Sequence, residues 1–390
     1  MSWDTARKGI DWLFSNAKQE PGSSVEIDFW GGEPLLRWKL LELMGIYALA
    51  KSKTDKIPVR FGGTTNVTLL TPEKFNFLDT LKCRFLLSID GAAETHNLHR
   101  KFRGTGLGSH ATISKNVEAI LHRWPDTRVR MGLIAERIDY FFEDIKHLFD
   151  MGFNYLYFSP VYEGNWTEEK WRIFEEQSIK VIDYMVELRE SGRSVKVEHF
   201  ASYSRGDTFR HPCGAGRSYV GIDVDGAIYP CHRFNKFNDK RPWQEKEVCI
   251  GHVYAGITRP DFVKQFTEWN PNCGSCQRQK DTPCHGGCYA ARYDLMNQSL
   301  DNPFPGLCAY TEVQKRVSAY YKERIPEEAK AIPGRVNSCV CFNMCYAEGT
   351  DHQLITAYRG SDMTCKCYNL SYSGRESDTA RALTQEERIK

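Results

Sequence analysis

Between residues 4 and 191 short apolar runs alternate with longer amphipathic ones, and no other property of the sequence constrains the fold as much. The runs VEIDFW (25–30), VRFGGTTN (59–66), RFLLSIDG (84–91), RVRMGLIAE (128–136) and NYLYFSPV (154–161) have the length and residue types of strands. The segments between them carry helical periodicity. Residues 4–18 place Ile10, Leu13 and Phe14 on one face before the Pro21-Gly22 turn, and a second helix starts at Leu35. TPEKFNFLDTL opens on a Thr-Pro helix entry. Further helices are predicted over about 110–123, 139–151 and 167–191. The stretch from Gly91 to Ser109, with Arg100 and the glycines Gly104, Gly106 and Gly108, reads as a loop. Strands separated by helices pair in parallel through right-handed crossovers, so the expected class is α/β. Polar and small residues gather where each strand ends: Gly32 and Glu33, Thr64 and Asn66, Ser88 and Asp90, and Ser159. Such sheets build their sites at that end.

The character changes after about residue 192, where strands shorten and cysteine, glycine and proline rise. The expected division is 1–195 for the α/β unit, 196–325 for a cysteine-rich unit and 326–390 for a polar tail. VGIDVDGAIYPCHRF (220–234) reads as a hairpin turning at Asp225-Gly226 and delivering Cys231. Apart from Cys249, seven of the 14 cysteines fall from Cys213 to Cys308, including the CxxC pair Cys273 and Cys276 and the CxxxC pair Cys284 and Cys288. No run is apolar enough to span a bilayer, and the opening residues make a poor signal peptide. The expected compartment is therefore the cytoplasm, where clustered thiols hold metal more often than they form disulfides. Four thiolates satisfy one zinc or one iron–sulfur cubane, and spacing alone favours zinc. A net charge of +2 gives no case for nucleic acid or an anionic membrane as partner. Cys83 and Cys249, each within an apolar run, read as small core residues.

The order Cys213-x12-Gly226-x4-Cys231, then Cys273-x2-Cys276-x7-Cys284-x3-Cys288, then Cys308 resembles the SPASM domain of radical SAM enzymes, with one gap, x7, longer than the family's usual. Gly31-Gly32-Glu33-Pro34 is similar to the GGEP motif of the radical SAM barrel, and Ser88, Asp90, Arg100 and, more loosely, Val161 match further positions of that barrel. The resemblance spans about residues 4–320. It implies a partial (β/α)6 barrel lacking its first strand, followed by a SPASM domain with two auxiliary 4Fe-4S clusters. It further implies that the GGEP backbone holds the amino group of S-adenosylmethionine (SAM), that Ser88, Asp90 and Arg100 contact its ribose and carboxylate, and that Val161 lies near its adenine. By position, Cys273, Cys276, Cys284 and Cys308 would ligate the outer cluster and Cys213, Cys231 and Cys288 the inner one. A fourth inner ligand is either absent or supplied by His211 or Asp207. The implied substrate is a peptide or protein and the implied reductant a flavodoxin or ferredoxin.

Two departures from the family pattern bear on function. No CxxxCxxC occurs in the sequence, and the first cysteine is Cys83, well after the GGEP motif. The expectation is a chain truncated at its N-terminus, without ligands for the cluster that cleaves SAM, and inactive as written. Where sulfatase-maturing members carry an aspartate base after the cysteine of the YPC strand, this chain has His232. Histidine serves as a base near neutral pH or as a hydrogen-bond donor beside a cluster. That residue shifts the expectation toward enzymes that modify ribosomally made peptides, with sulfatase maturation as an alternative. A reading from another class is a non-catalytic peptide-binding protein carrying iron–sulfur or zinc. The tail cysteines Cys339, Cys341, Cys345, Cys365 and Cys367 lie outside the resemblance, and CVCFNMC has its gaps in the wrong order to replace CxxxCxxC.

Overall fold

The computed structural model describes residues 1–20, 22–204, 214–216, 219–234, 245–265, 276, 284, 286–301, 303–328 and 368–370. Within it the expected strands form a parallel sheet, β1 (Val25–Phe29), β2 (Val59–Thr65), β3 (Arg84–Ser88), β4 (Arg128–Leu133) and β5 (Tyr155–Pro160), each paired with the next. A sixth parallel strand, β6 (Lys196–Val197), follows on β5. The helices between them are α1 (Trp3–Lys18), α2 (Trp38–Asp55), α3 (Pro72–Thr80), α4 (Ala93–His99), α5 (His110–Arg123), α6 (Phe141–Asp150) and α7 (Glu168–Glu190), and α8 (Glu198–Ser204) follows β6.

Period-two side-chain alternation divides the strands into two faces. Val25, Ile27 and Phe29 of β1, Phe61 of β2, Phe85 and Leu87 of β3, Val129 and Met131 of β4 and Leu156 and Phe158 of β5 all lie in the main core, with Ile10, Leu13 and Phe14 of α1. Full burial of each such side chain is worth about 1.5–3 kcal/mol. The opposite face is polar. Parallel register sets Glu26 beside Arg60 and Ser88 beside Arg130 and then Tyr157. Glu26 pairs with Arg60 at 3.3 Å, and Tyr155 Oη donates to Glu198 Oε2 at 2.9 Å. A parallel sheet covered on both faces by helices has near-continuous apolar strands. Here the strands alternate, apolar toward the core on one face and polar on the other.

Helix starts follow their capping residues. Ser2 Oγ accepts from Thr5 N–H, Thr71 Oγ1 from Lys74 N–H ahead of Pro72, and Thr167 Oγ1 from Lys170 N–H. Each such cap stabilises its helix by about 1 kcal/mol. The loop expected between Gly91 and Ser109 is corrected by α4. This helix has no side-chain cap at Ala92, and a tertiary contact holds it. Asp90 N–H donates to His96 Nδ1 at 3.1 Å, and His96 Nε2 meets Ser109 Oγ at 2.9 Å.

The second half extends the same sheet. β7 (Val220–Ile222) and β8 (Ala227–Tyr229) form the expected hairpin, with Gly226 at φ 97°, and β9 (Gly251–His252) and β10 (Gly256–Ile257) add antiparallel strands. Between β7 and β1 runs β11 (Tyr368–Leu370), parallel to both, with Tyr368 opposite Ile27 and Val220. The full order is β10-β9-β8-β7-β11-β1-β2-β3-β4-β5-β6. Short helices α9 (Glu245–Val248) and α10 (Pro260–Lys264) follow β8 and β10. Helices α11 (Tyr289–Leu295) and α12 (Pro305–Arg324) follow in sequence, and α12 packs on α7 and α8.

Candidate functional site

The C-terminal end of the parallel strands gathers most of the expected residues. Gly31 and Gly32 follow β1 after Trp30; Gly31 has φ 140°, and a Cβ built on Gly32 would meet nothing within 4 Å. The backbone there is open to a ligand. Glu33 turns inward instead and is 4% exposed. Its Oε1 accepts from Leu35 N–H at 3.0 Å and Thr65 Oγ1 at 2.9 Å, and its Oε2 from Asn66 N–H at 2.6 Å. Burial raises its pKa above the usual carboxylate range against the pull of these donors. Glu33 thus ties the end of β1 to the end of β2 and shapes the glycine turn. Pro34, also buried, starts a single 3₁₀ turn leading into α2.

Ser88 ends β3, and Asp90 lies two residues beyond. Arg100 Nε and Nη2 both donate to Asp90, the latter at 3.0 Å, and Gly132 N–H donates to Asp90 Oδ1 at 2.7 Å. Burial alone would raise the pKa of Asp90, but Arg100 brings it below the usual range. Asp90 and Arg100 therefore form a fixed, bidentate pair. Asp144 of α6 supports the next residues: its Oδ1 accepts from Ala92 N–H at 2.9 Å, and burial pushes its pKa up to about 7. Val161, just past β5, is 38% exposed, and its carbonyl accepts from Trp166 Nε1.

A contact across the sheet joins this end to the cysteine-rich half. Trp30, the residue before the glycine pair, stacks on His232 with ring centroids 4.2 Å apart and planes 21° apart. Tyr219 Oη bonds His232 Nδ1, and His232 is 5% exposed. Cys231 is buried beside it. Arg233, a residue further on, pairs with Glu163 and lies in the field of both Cys288 and Cys231. Burial would lower its pKa, yet the negative groups around it, Cys288 foremost, raise it. A further cysteine contact lies at α12. Thr311 Oγ1 donates to Cys284 Sγ at 3.8 Å, and Cys308 lies one turn earlier on that helix.

Cys276 is half-buried; Cys213, Cys273, His211, Asp207 and the five tail cysteines lie outside the described residues. Among the described residues no three His, Cys, Asp or Glu side chains gather as a metal site, and no helix is long and apolar enough to cross a membrane. Cys83 is fully buried in the core, and burial pushes its thiol pKa up. Cys249 Sγ donates to Gly251 carbonyl. Sequence reasoning missed Trp30 and Tyr219 as partners of His232. An aromatic residue flanking a Gly-Gly turn was the signal available for Trp30.

No family model matches the chain. It is 22% identical over 309 residues to a cysteine-type anaerobic sulfatase-maturating enzyme of Clostridium perfringens, a match covering 75% of this chain and 81% of that enzyme. Among solved structures, native anSMEcpe with bound AdoMet has a TM-score of 0.64 at 19% identity, covering 84% of this chain and 89% of that one. The same protein with bound AdoMet and Cp18Cys peptide has a TM-score of 0.63 at 19% identity, covering 84% and 91%. The resemblance to radical SAM enzymes is thus matched by sequence similarity to a sulfatase-maturating enzyme and by a shared α/β fold.

Proposed function

We propose that this chain is a radical SAM maturase with a SPASM domain, acting on a side chain of a ribosomally made peptide. The observation that carries the reading is the Trp30–His232 stack. It sets the glycine turn of a nucleotide-binding barrel end against the strand that delivers Cys231. A barrel end for SAM and a cysteine centre are then adjacent, as a reaction using both requires.

The residues present fit both groups. The open backbone at Gly31 and Gly32 suits the amino and carboxylate end of SAM, with the Asp90–Arg100 pair and Ser88 beside it and Val161 on the adenine side. Cys231 and Cys288, facing Arg233, form part of the inner cluster set with Cys213; Cys284 and Cys308 join Cys273 and Cys276 in the outer one. SAM bound beside a reduced cluster would supply a 5′-deoxyadenosyl radical for hydrogen abstraction. The cysteines named here would hold the two auxiliary clusters, and this sequence has no CxxxCxxC to ligate the one that cleaves SAM. The chain's own residues position and exclude water. Glu33 fixes the turn, Asp90 fixes Arg100, and buried His232 holds its ring flat against Trp30 beside the Cys231 centre. A cytoplasmic setting and a flavodoxin or ferredoxin reductant fit this chemistry.

Maturation of a sulfatase is a second reading, favoured by the named activity of the Clostridium perfringens relative. The histidine at position 232 favours the first. The test is anaerobic reconstitution of the full chain with iron and sulfide, metal analysis, and equilibrium dialysis with labelled SAM. About eight irons per chain and saturable SAM binding are expected. Zinc without iron, or no SAM binding, overturns the reading in favour of a non-catalytic peptide-binding protein. A peptide carrying a sulfatase motif that binds more tightly than precursor-type peptides would establish the second reading.

A further inference from the structure

Behind the turn that follows Asp90, three helices bring histidines together. His96 lies on α4, His110 starts α5 and His147 lies on α6. His110 Nε2 meets His147 Nε2 at 3.1 Å, with ring centroids 5.1 Å apart and planes 42° apart. His96 stands edge-on to His110, with centroids 5.5 Å apart. His110 is 7% exposed and His147 is half-buried.

The network fixes which nitrogen of His110 carries the proton. Ser114 Oγ donates to the His110 carbonyl at 3.0 Å, so it turns a lone pair toward His110 Nδ1, 3.3 Å away. The Gly91 carbonyl accepts from the same ring. His110 is therefore protonated on Nδ1, and its bare Nε2 accepts from His147 Nε2–H. A proton added to His147 Nδ1 leaves this bond intact. A proton added to His110 Nε2 removes the acceptor and sets two N–H groups face to face. Burial, and then the neighbouring His147, hold the His110 pKa below its ordinary 6.5.

The bond closes a ring of contacts around Gly91. Gly91 has φ 101°, and a Cβ there would collide with Asp144. His110 holds the Gly91 carbonyl from α5, and Asp144 holds Ala92 N–H from α6. One turn beyond Asp144, His147 ties α6 to α5. The charged groups around the pair are few. From α4 come exposed Glu94, which favours the charged form of His110, and His96, whose pKa burial lowers to about 4. Beyond His96 lie Asp90 and Arg100, paired to each other. Arg137 and Glu143 flank Asp144. Lys146 and Asp150 of α6 pair together, and Asp150 meets Tyr184 of α7.

We propose that the His110–His147 contact is an acid-released clasp on the turn that follows Asp90. With His110 Nε2 bare, the clasp is closed, α6 is seated and the Asp90–Arg100 pair is held in place. As pH falls, a proton from solvent reaches His110 Nε2, His147 turns out to solvent and the turn loosens. Because the folded pKa of His110 is depressed, the contribution of the clasp is fully present above the unfolded value of 6.5 and is lost as pH falls through the folded one. The clasp depends on the histidines alone; its effect on cofactor binding rests on the radical SAM reading.

Asp144 titrates in the same turn, with its pKa pushed up to about 7. The test therefore uses the full chain carrying Asp144→Asn, alone and with either His110→Gln or His147→Phe. Amide hydrogen exchange of residues 88–96 is followed by mass spectrometry between pH 5 and 8 and corrected for intrinsic rates. In the Asp144→Asn chain, opening should increase by up to about tenfold per pH unit below 6.5. His110→Gln keeps an acceptor for His147 but takes up no proton, so the segment should stay protected with no slope. His147→Phe should leave the segment open at every pH. A slope that persists in either variant, or is absent with both histidines in place, overturns the proposal. Equilibrium dialysis with labelled SAM at the same pH values tells the two readings apart. SAM affinity should fall with the same slope in the Asp144→Asn chain and stay level with His110→Gln added. A chain that shows the exchange slope but binds no SAM at any pH keeps the clasp and overturns the maturase reading. SAM binding with exchange independent of pH overturns the clasp alone.

Discussion

Asp144 offers a direct link between pH and the seating of the site. Its carboxylate sits on α6, 1% exposed, and accepts from Ala92 N–H in the turn that follows Asp90. Burial pushes its pKa up to about 7 from an ordinary 3.8, against the pull of the Thr95 hydroxyl, the Ala92 N–H and Arg137. A carboxyl group whose folded pKa is raised binds its proton more tightly in the native state. Its contribution to stability is therefore fully present below the unfolded value and is lost as pH rises through the folded value. At about 1.4 kcal/mol per pH unit, the window from 3.8 to about 7 corresponds to roughly 4 kcal/mol. Asp144→Asn keeps an acceptor for Ala92 N–H and carries no charge at any pH. The variant should match the wild type near pH 4 and exceed it by up to about 4 kcal/mol at pH 8. The assay is urea unfolding followed by circular dichroism at several pH values, read as the difference between the two proteins. Taking that difference removes the opposing slope of His96, whose pKa burial lowers to about 4. A difference that does not vary between pH 5 and 8, or an Asn variant less stable than wild type at pH 8, would refute the reasoning.

Removal of Glu33 should be costly in a graded way. Glu33→Ala strands two backbone N–H groups and one hydroxyl and should destabilise by roughly 3–5 kcal/mol. Glu33→Gln retains one acceptor oxygen and should cost less, as urea midpoints would show. Asp90→Ala leaves Arg100 half-buried without its carboxylate, a loss of about 3–5 kcal/mol. Because the folded pKa of Asp90 is depressed, its contribution is present above the unfolded value of 3.8 and falls away as pH drops through the folded one. An acid titration of the wild type and variant should therefore converge. In reconstituted protein, Cys231→Ala and Cys288→Ala should produce the same change in the electron paramagnetic resonance spectrum, and Cys284→Ala and Cys308→Ala a different shared one. A single common spectrum for all four would contradict two separate centres. Trp30→Ala should lower the melting temperature through loss of an aromatic stack worth about 0.5–1.5 kcal/mol beyond its buried area.

The strands and their helices were legible because each carries its own periodicity, and the apolar residues of β1 to β5 that the pattern marks are the ones in the core. The site's position was legible too, since small and polar residues end each strand. The misses have a common physical cause. Helix α4 has no side-chain cap, and His96 holds it through bonds to Asp90 and Ser109, so nothing local announces it. Strand β6 has two residues and is defined only by its partner β5. Glu33 could be matched to a motif, but that its carboxylate joins two strand ends depends on Thr65 and Asn66 arriving beside it. The stack of Trp30 on His232 joins residues from opposite halves of the chain. No short-range pattern encodes such contacts.

The place of β11 bears on how the molecule assembles. Ile27 pairs on one side with Phe61 and on the other with Tyr368, so one of its neighbours follows closely in the sequence and the other lies far downstream. Until β11 pairs, β1 presents an unpaired parallel edge while the helices around it have already formed. Non-local parallel pairing of this kind is slow, and an open edge is a template for association with another chain. Refolding from urea should accordingly show an early phase for the α1–α7 region and a late phase for closure between β1 and β7. Nascent chains halted before residue 368 would depend on chaperones that shield strand edges.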